Sequence, residues 1–410
     1  MSQINAHKVL RGTTLKNGFL DNIAVPQAVT EQMRHRRDVI REHVRAGIRN
    51  WNDRIKKAEL FESSPVIFGN IQPPALSPKF RMQGSQVYGT ANDPAIKPPQ
   101  ELDLDDGFFL PVAFFEKHGA SDPLVASKGL FSLVEAILLP LCQKQSWEMQ
   151  THKNSCIRVR FGDHTHYDLP LYAVSDEAYT RLVQKRLDEA VNAKDSLEIE
   201  NRLDLAESFY DSFAPSDIRL AHRKHGWIDS DPRQLENWFV QKVDIHGEQL
   251  RRICRYLKAW RDYKWRDPDA CKLSSIALMA CAVRAYDELK GYVSPSRDDI
   301  AFKEVVARLP EYLSETIANP VPGKPDLNED WDFQHRTDYV NKAMELRRKV
   351  NQSFETGNSQ LRVLKCYELV LGGRVPEDQS LVTFELMVSK VKEYEPARTP
   401  QPNVRRSTSG

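Results

Sequence analysis

The 410-residue chain predicts an α+β fold, and three features carry that prediction. Between about residues 65 and 175, short apolar runs alternate with polar residues and are broken by Gly, Pro and Asn, the mark of strands and turns. Ahead of them, Met33, Ile40, Val44, Ile48 and Trp51 recur at helical spacing. Beyond residue 232 nearly every segment is helical in period.

The elements follow in chain order. The first thirty residues hold no sustained period and are expected to be irregular. A long helix is expected over 30–61, with Thr30 placed to cap it. Beside its apolar stripe runs a basic one, Arg34, Arg37, Arg41, Arg45 and Arg49: either a solvated face or a docking surface for an anionic ligand or partner. One helix, over 128–145, interrupts the strands, and residues 159–172 alternate as a strand does. Residues 176–213 look like a helical pair leading away from the core. Helices are then expected over 232–266, 273–289, 298–317, 330–355 and 358–371. From about residue 395 the chain carries Pro396, Pro400 and Pro402 among Arg, Ser, Thr and Asn with no apolar cluster, so that tail is expected to be disordered. The expected units are therefore 1–215, 216–394 and 395–410. No internal repeat is visible.

Composition excludes several classes. A net charge of +1 supplies no strong field toward nucleic acid or membrane. Mean hydropathy is −0.55, and no apolar run is long enough to span a bilayer. Residues 1–8 lack the apolar core of a signal peptide, so a cytoplasmic protein is expected. The six cysteines, Cys142, Cys156, Cys254, Cys271, Cys281 and Cys366, form no Cys-x-x-Cys pair and are expected to be free thiols.

The chemistry concentrates in two places. Asp103 and Asp105 lie in Glu101-Leu102-Asp103-Leu104-Asp105-Asp106-Gly107, where strand alternation puts both carboxylates on one face and both leucines on the other. Asp168 ends a later alternating stretch, His164-Thr165-His166-Tyr167-Asp168. Carboxylates held close repel unless cations sit between them, and Mg²⁺ takes oxygen ligands together with substrate phosphates. Upstream, Gln83-Gly84-Ser85-Gln86-Val87-Tyr88-Gly89-Thr90 forms a small turn; Gly84 permits close backbone approach to a phosphate and Ser85 adds a hydroxyl. His164, His166 and Asp168 share one face of that expected strand, which leaves a His-x-His-x-Asp transition-metal site as a second reading.

The segment 83–112 resembles the catalytic signature of the cGAS/DncV-like nucleotidyltransferases of bacteria, and most of all their DncV branch of cyclic GMP-AMP synthases. Further blocks resemble the same branch in the same order: Gly226-Trp227-Ile228-Asp229-Ser230-Asp231-Pro232, Asn237-Trp238-Phe239, Cys254-Arg255-Tyr256-Leu257-Lys258-Ala259-Trp260-Arg261-Asp262 and Ser274-Ser275-Ile276-Ala277-Leu278-Met279. The match spans roughly residues 30–310 and implies a mixed-sheet nucleotidyltransferase core with a spine helix and a helical lobe closing over the nucleotides. It implies Asp103, Asp105 and Asp168 as ligands of two Mg²⁺ ions, with Mn²⁺ as a substitute. Gln83, Gly84, Ser85 and Tyr88 match the nucleotide-binding turn. Arg158, with Arg160 as the competing choice, matches a nucleotide-contacting arginine. Ser230 matches a serine facing a nucleotide, and Lys258 and Ser275 match positions that hold the donor triphosphate.

The implied activity joins two nucleoside triphosphates, ATP and GTP, into a cyclic dinucleotide such as 3′,3′-cyclic GMP-AMP, an anti-phage (CBASS) second messenger whose effector is a phospholipase or nuclease. The resemblance also implies conjugation of the C-terminal Gly410 by an E1/E2-like partner. There is one marked departure: no acid precedes Lys324-Pro325 in Asn319-Pro320-Val321-Pro322-Gly323-Lys324-Pro325-Asp326, where the branch places a base-reading carboxylate. The turn also has Gly89 where the branch can have an acid. Two other readings use the same residues: a transferase acting on a small molecule or an RNA end, and a silent scaffold. The near-neutral charge argues against strong duplex binding.

Overall fold

The structure, a computed structural model, describes residues 2–51, 54, 60, 78–117, 120–123, 125–181, 213–267, 271–291 and 294–386. The far end of the expected spine helix, most of the expected helical pair at 176–213, and the tail with Gly410 lie outside the described residues.

The chain opens with β1 (Ser2–Asn5), α1 (His7–Arg11), α2 (Phe19–Asn22) and the spine helix α3 (Gln27–Arg49). Then come β2 (Lys79–Met82), β3 (Leu102–Val112), β4 (Phe114–Lys117), β5 (Ala120–Pro123), α4 (Ser127–Gln145), β6 (Glu148–Gln150), β7 (Cys156–Arg160), β8 (Thr165–Ser175), β9 (Ile218–His222) and β10 (Gly226–Asp229). Helices α5 (Pro232–His246), α6 (Glu248–Lys264), α7 (Ser275–Leu289), α8 (Asp298–Ser314), α9 (Phe333–Ser353) and α10 (Gln360–Leu371) follow, with β11 (Thr383–Leu386) last. The fold is α+β.

One sheet runs β10-β9-β8-β3-β2, with β7 also on β8 and β6 on β7. It is mixed: β3 and β8 are parallel, and the other pairs are antiparallel. Leu102, Leu104, Phe108, Leu110 and Val112 of β3 are buried in one core with α3 and α4. The stripe Met33, Ile40, Val44, Ile48 and Trp51 is buried there as expected. The two helices cross closely: a Cβ on Gly47 would lie 2.4 Å from Ile137. Helices α5 to α10 surround a second core centred on Trp260, Tyr256, Phe302 and Tyr367.

Four expectations are corrected. The opening residues are ordered: β1 pairs with β11, and Ile4, Val9, Leu10, Phe19 and Ile23 pack into the helical core. Residues so far apart in sequence make this ordering invisible to local periodicity. The spine helix starts after Pro26; Thr30 lies in its first turn, and its hydroxyl donates to the Pro26 carbonyl at 3.3 Å rather than capping. The expected helix over 232–266 is two helices, because Gly247 turns the chain at φ +83°. The basic stripe is not one solvated face: Arg34 and Arg49 are exposed, but Arg41 is ion-paired to the fully buried Asp106, and Arg41 and Arg45 lie over the Phe80 ring. Elsewhere four helices carry a side-chain cap one residue before they begin: Asp231 for α5, Ser274 for α7, Asp332 for α9 and Ser359 for α10.

Candidate active site in the interlobe cleft

Register brings the carboxylates together. In the parallel pair β3–β8, Asp103 stands opposite His166 and Asp105 opposite Asp168. Leu102 and Leu104 point into the sheet core, so the face bearing Asp103 and Asp105 is turned toward the second lobe. The turn sits on top of this face. Chain pairing of β2 ends at Met82 opposite Asp106, and the Gln83 N–H donates to the Asp105 carbonyl at 2.9 Å. Residues Gly84–Val87 then form one helical turn, with Gly84 at φ +69°. A Cβ on Gly84 would lie 2.0 Å from Asp105 Oδ2, so the glycine is required by the carboxylate beneath it as well as by any phosphate above.

The opposite wall comes from the helical lobe. Lys258 is buried, its Nζ donates to the Thr90 carbonyl at 2.7 Å, and burial draws its pKa down to about 8. Ser274 caps α7 by accepting from Ala277 N at 3.1 Å, which leaves the helix N-terminus, Ser275 and Ile276 on the cleft. Such a terminus offers free N–H groups and positive dipole to an anion. Arg261 donates to Ser275 Oγ at 2.9 Å while bound to Asp262. The segment after the turn straps the lobes together: Asn92 bonds the Arg255 carbonyl and Gln100 bonds the carbonyls of Asp262 and Trp265. The cleft so enclosed measures about 850 Å³, within the range of small-molecule sites.

Electrostatics are set by crowding. Burial, then the neighbouring Asp103 and Asp168 carboxylates, raise the proton affinity of Asp105 well above that of an ordinary aspartate. Both oxygens of Asp168 accept from Arg158, at 2.7 Å each. Arg160 forks onto Glu101, which also accepts from His166 Nδ1 at 3.0 Å. His166 Nε2 is buried without a hydrogen-bond partner, and burial lowers that ring's pKa.

Most residues expected from sequence meet here. Gly84, Ser85, Tyr88, Asp103, Asp105, Arg158, Lys258 and Ser275 line the cleft, and Asp168 stands directly behind Arg158. Gln83 is buried under the turn, its Oε1 accepting from Tyr172 at 3.2 Å, and does not itself line the cleft. Neither does Ser230, which follows β10. The His-x-His-x-Asp reading is corrected: His164 precedes β8 at φ +63°, outside the strand, and His166 is bound to Glu101. Among the described residues no three His, Cys, Asp or Glu side chains form a ready-made metal shell. Sequence reasoning passed over Glu101, Thr90, Gln100 and Arg261. Glu101 was open to discovery, since it continues the Asp103–Asp105 alternation; Thr90 and Gln100 act through contacts across the lobes, and Arg261 through its bond to Ser275 on the neighbouring helix.

A Gly-Ser turn clamped over a paired-aspartate strand, with a third aspartate on the parallel neighbour, is the site architecture of the nucleotidyltransferase class. Two family models match the chain: "Cyclic GMP-AMP synthase DncV-like, nucleotidyltransferase domain" over residues 78–172, and "Cyclic GMP-AMP synthase, C-terminal domain" over residues 247–384. The chain belongs to the DncV-like nucleotidyltransferases. A cyclic GMP-AMP synthase of Vibrio cholerae serotype O1 is 28% identical over 337 residues, covering 80% of this chain and 74% of that protein. Another, of Escherichia coli, is 32% identical over 261 residues, covering 59% and 55%. In fold, the chain resembles Vibrio cholerae DncV cyclic AMP-GMP synthase bound to the linear intermediate 5′ pppA(3′,5′)pG, with TM-score 0.74, 23% identity, and 94% and 100% of the two chains covered. It likewise resembles Escherichia coli DncV bound to 3′-deoxy GTP, with TM-score 0.71, 23% identity, and 93% and 99% covered. No helix among the described residues is long and apolar enough to cross a membrane.

Proposed function

We propose that the chain is a cytoplasmic cyclic dinucleotide synthase that joins ATP and GTP, with release of pyrophosphate, into 3′,3′-cyclic GMP-AMP or another purine-containing cyclic dinucleotide. The observation that carries this reading is the interlobe cleft, in which the Asp103–Asp105 face opposes Lys258 and the α7 N-terminus across room for nucleotides. Family membership and the synthases it resembles support the same chemistry. The proposed units are 1–215 for the catalytic core, 216–394 for the closing lobe and 395–410 for the tail.

The donor set fits a hard divalent cation, Mg²⁺ first and Mn²⁺ as a substitute: all oxygen, with the Asp105 proton affinity raised by burial and then by the crowding of Asp103 and Asp168. Asp103, Asp105 and Asp168 are the proposed ligands of two such ions, which when bound supply charge neutralisation on the phosphates and activation of the attacking hydroxyl. Lys258 and the α7 N-terminus with Ser275 hold the donor triphosphate, joined by Ser85 from the turn. Tyr88 and Arg158 contact the nucleotides, and Gln83 supports the turn from beneath; Ser230, expected from the resemblance to face a nucleotide, lies off the cleft lining. A ribose hydroxyl of one nucleotide attacks the α-phosphorus of the other, its proton passes to solvent by way of a triad carboxylate, and pyrophosphate leaves with the bonding pair. The linear product turns in the cleft and the step repeats. The protein contributes position and electrostatics.

In the wider proposal, the product serves anti-phage signalling through a phospholipase or nuclease effector, and an E1/E2-like partner conjugates Gly410. Base choice is the open variable: Lys324 bonds the Asp229 carbonyl, with no acid ahead of it to read guanine. The test is incubation of the protein with Mg²⁺ and the four labelled ribonucleoside triphosphates, then phosphatase treatment and mass spectrometry. A phosphatase-resistant cyclic product supports the reading and names the bases. Asp103→Ala with Asp105→Ala should abolish it without unfolding the chain; turnover in that double variant refutes the site.

A further inference from the structure

Asp168 lies between two neighbours on one face of the sheet. On one side, β3 sets Asp105 in register with it; on the other, antiparallel β7 sets Arg158 in register with it. The Arg158 Nε and Nη2 groups donate to the two carboxylate oxygens at 2.7 Å, a bidentate charge-assisted pair. The Asp168 side chain is 12% exposed, and Arg158 lines the cleft. An arginine fork thus stands on the third carboxylate of a set whose other two members repel it.

We infer that Arg158 is an internal counter-ion that holds Asp168 out of the metal-binding set until nucleotide arrives, so that divalent cation and nucleotide bind as one coupled event. A hard dication seeking the Asp168 oxygens must share them with a guanidinium at hydrogen-bond distance, like charge beside like charge, or displace it. Displacement without a new anion leaves Arg158 half-buried and unpaired, which is costly. A phosphate in the cleft removes that cost, because the planar fork fits phosphate as well as carboxylate. Arg158 then exchanges one bidentate anion for another, and Asp168 is released to the cation. By linkage the effect is reciprocal: nucleotide tightens cation binding by the factor by which cation tightens nucleotide binding. Arg158 is in this sense a positioning residue, acting through Asp168.

The inference rests on the proposed metal role of the three aspartates, and binding rather than turnover tests it. Mn²⁺ binding to the full chain is measured from the electron paramagnetic resonance signal of free Mn²⁺, with and without an α,β-methylene nucleoside triphosphate. Wild type should bind Mn²⁺ weakly alone and at least about tenfold more tightly with the nucleotide, within the usual range of coupling factors. Arg158→Gln should tighten binding without nucleotide by about tenfold and lose most of the coupling. Arg158→Lys keeps the charge but cannot fork, and should still tighten nucleotide-free binding by at least about threefold. Unchanged Mn²⁺ affinity and coupling in Arg158→Gln overturns the inference, as does an Arg158→Lys variant identical to wild type, which would assign the effect to charge alone. Mn²⁺ binding undiminished by Asp103→Ala with Asp105→Ala instead overturns the reading of the site itself.

Discussion

Gly84→Ala is the sharpest test of how this site is built. Two separate effects follow from one methyl group. The first is local: Gly84 has φ +69°, and an alanine there costs about 1–2 kcal/mol of backbone strain. The second is specific to the site: the new Cβ would stand 2.0 Å from Asp105 Oδ2, whereas ordinary contact begins at 3.4 Å, so turn and carboxylate must separate by about 1.4 Å. Misplacing a reacting group by about 1 Å can cost ~100-fold in rate. Gly89 supplies the control. It ends the same turn at φ +66°, and there a Cβ meets only the Arg251 side chain, at 2.9 Å, which can swing aside. Gly89→Ala should therefore carry the same strain without moving Asp105. The assay is pyrophosphate release under saturating Mg²⁺ and nucleoside triphosphates, alongside urea denaturation of each variant. Gly84→Ala should lose at least ~100-fold in kcat, and Gly89→Ala should stay within about threefold of wild type, with both destabilised by a comparable ~1–2 kcal/mol. Equal losses of activity in the two would show that turn strain, not the contact with Asp105, governs the rate. Full activity in Gly84→Ala would refute the stacking of turn upon carboxylate.

The remaining predictions concern charge and the chain end. Lys258 has its pKa lowered to about 8 by burial; between that value and the ~10.4 of an unfolded lysine, the unfolded chain holds a proton that the folded one lacks, so the Lys258 contribution makes stability rise with pH across that window. Nucleotide binding, which uses the charged form, should weaken as pH climbs above about 8, by up to ~10-fold per unit, and Lys258→Arg should flatten that profile in equilibrium titrations. Arg41→Ala strands the fully buried Asp106 carboxylate, leaving it the Tyr167 hydroxyl at 2.7 Å, and should cost ~3–5 kcal/mol in denaturant unfolding. Replacing Gly410 with a bulky residue should abolish any C-terminal adduct, seen by mass in cell extracts carrying the conjugating partner, while the purified enzyme keeps its activity.

The cleft residues were legible in proportion to how local their signals are. Alternation along β3 placed Asp103 and Asp105 on one face without any knowledge of the sheet, because a strand turns its side chains over every residue. The helical stripes named the buried side chains of α3 correctly for the same reason. Asp106 shows the limit. It sits one residue beyond Asp105, on the opposite face, and only the crossing of α3 under the sheet reveals it as the buried partner of Arg41. The two arginines of β7 show it again: both alternate to the cleft side, but cross-strand register sets Arg158 opposite Asp168 and Arg160 opposite His166, and Arg160 reaches Glu101 only through its side chain.

By itself, then, the sequence determined what near neighbours along the chain can determine: which residues share a face, and which turn can carry a glycine where backbone must come close. The tertiary structure decided what depends on chain segments meeting from afar. The parallel pairing of β3 with β8 set Asp105 beside Asp168 across 63 positions of sequence. The closure of the helical lobe brought Lys258 to Thr90, and the return of the C-terminal strand ordered the first residues of the chain. Periodicity is a property of a few consecutive residues, whereas these contacts are fixed by which buried surfaces fit together once all of them are present.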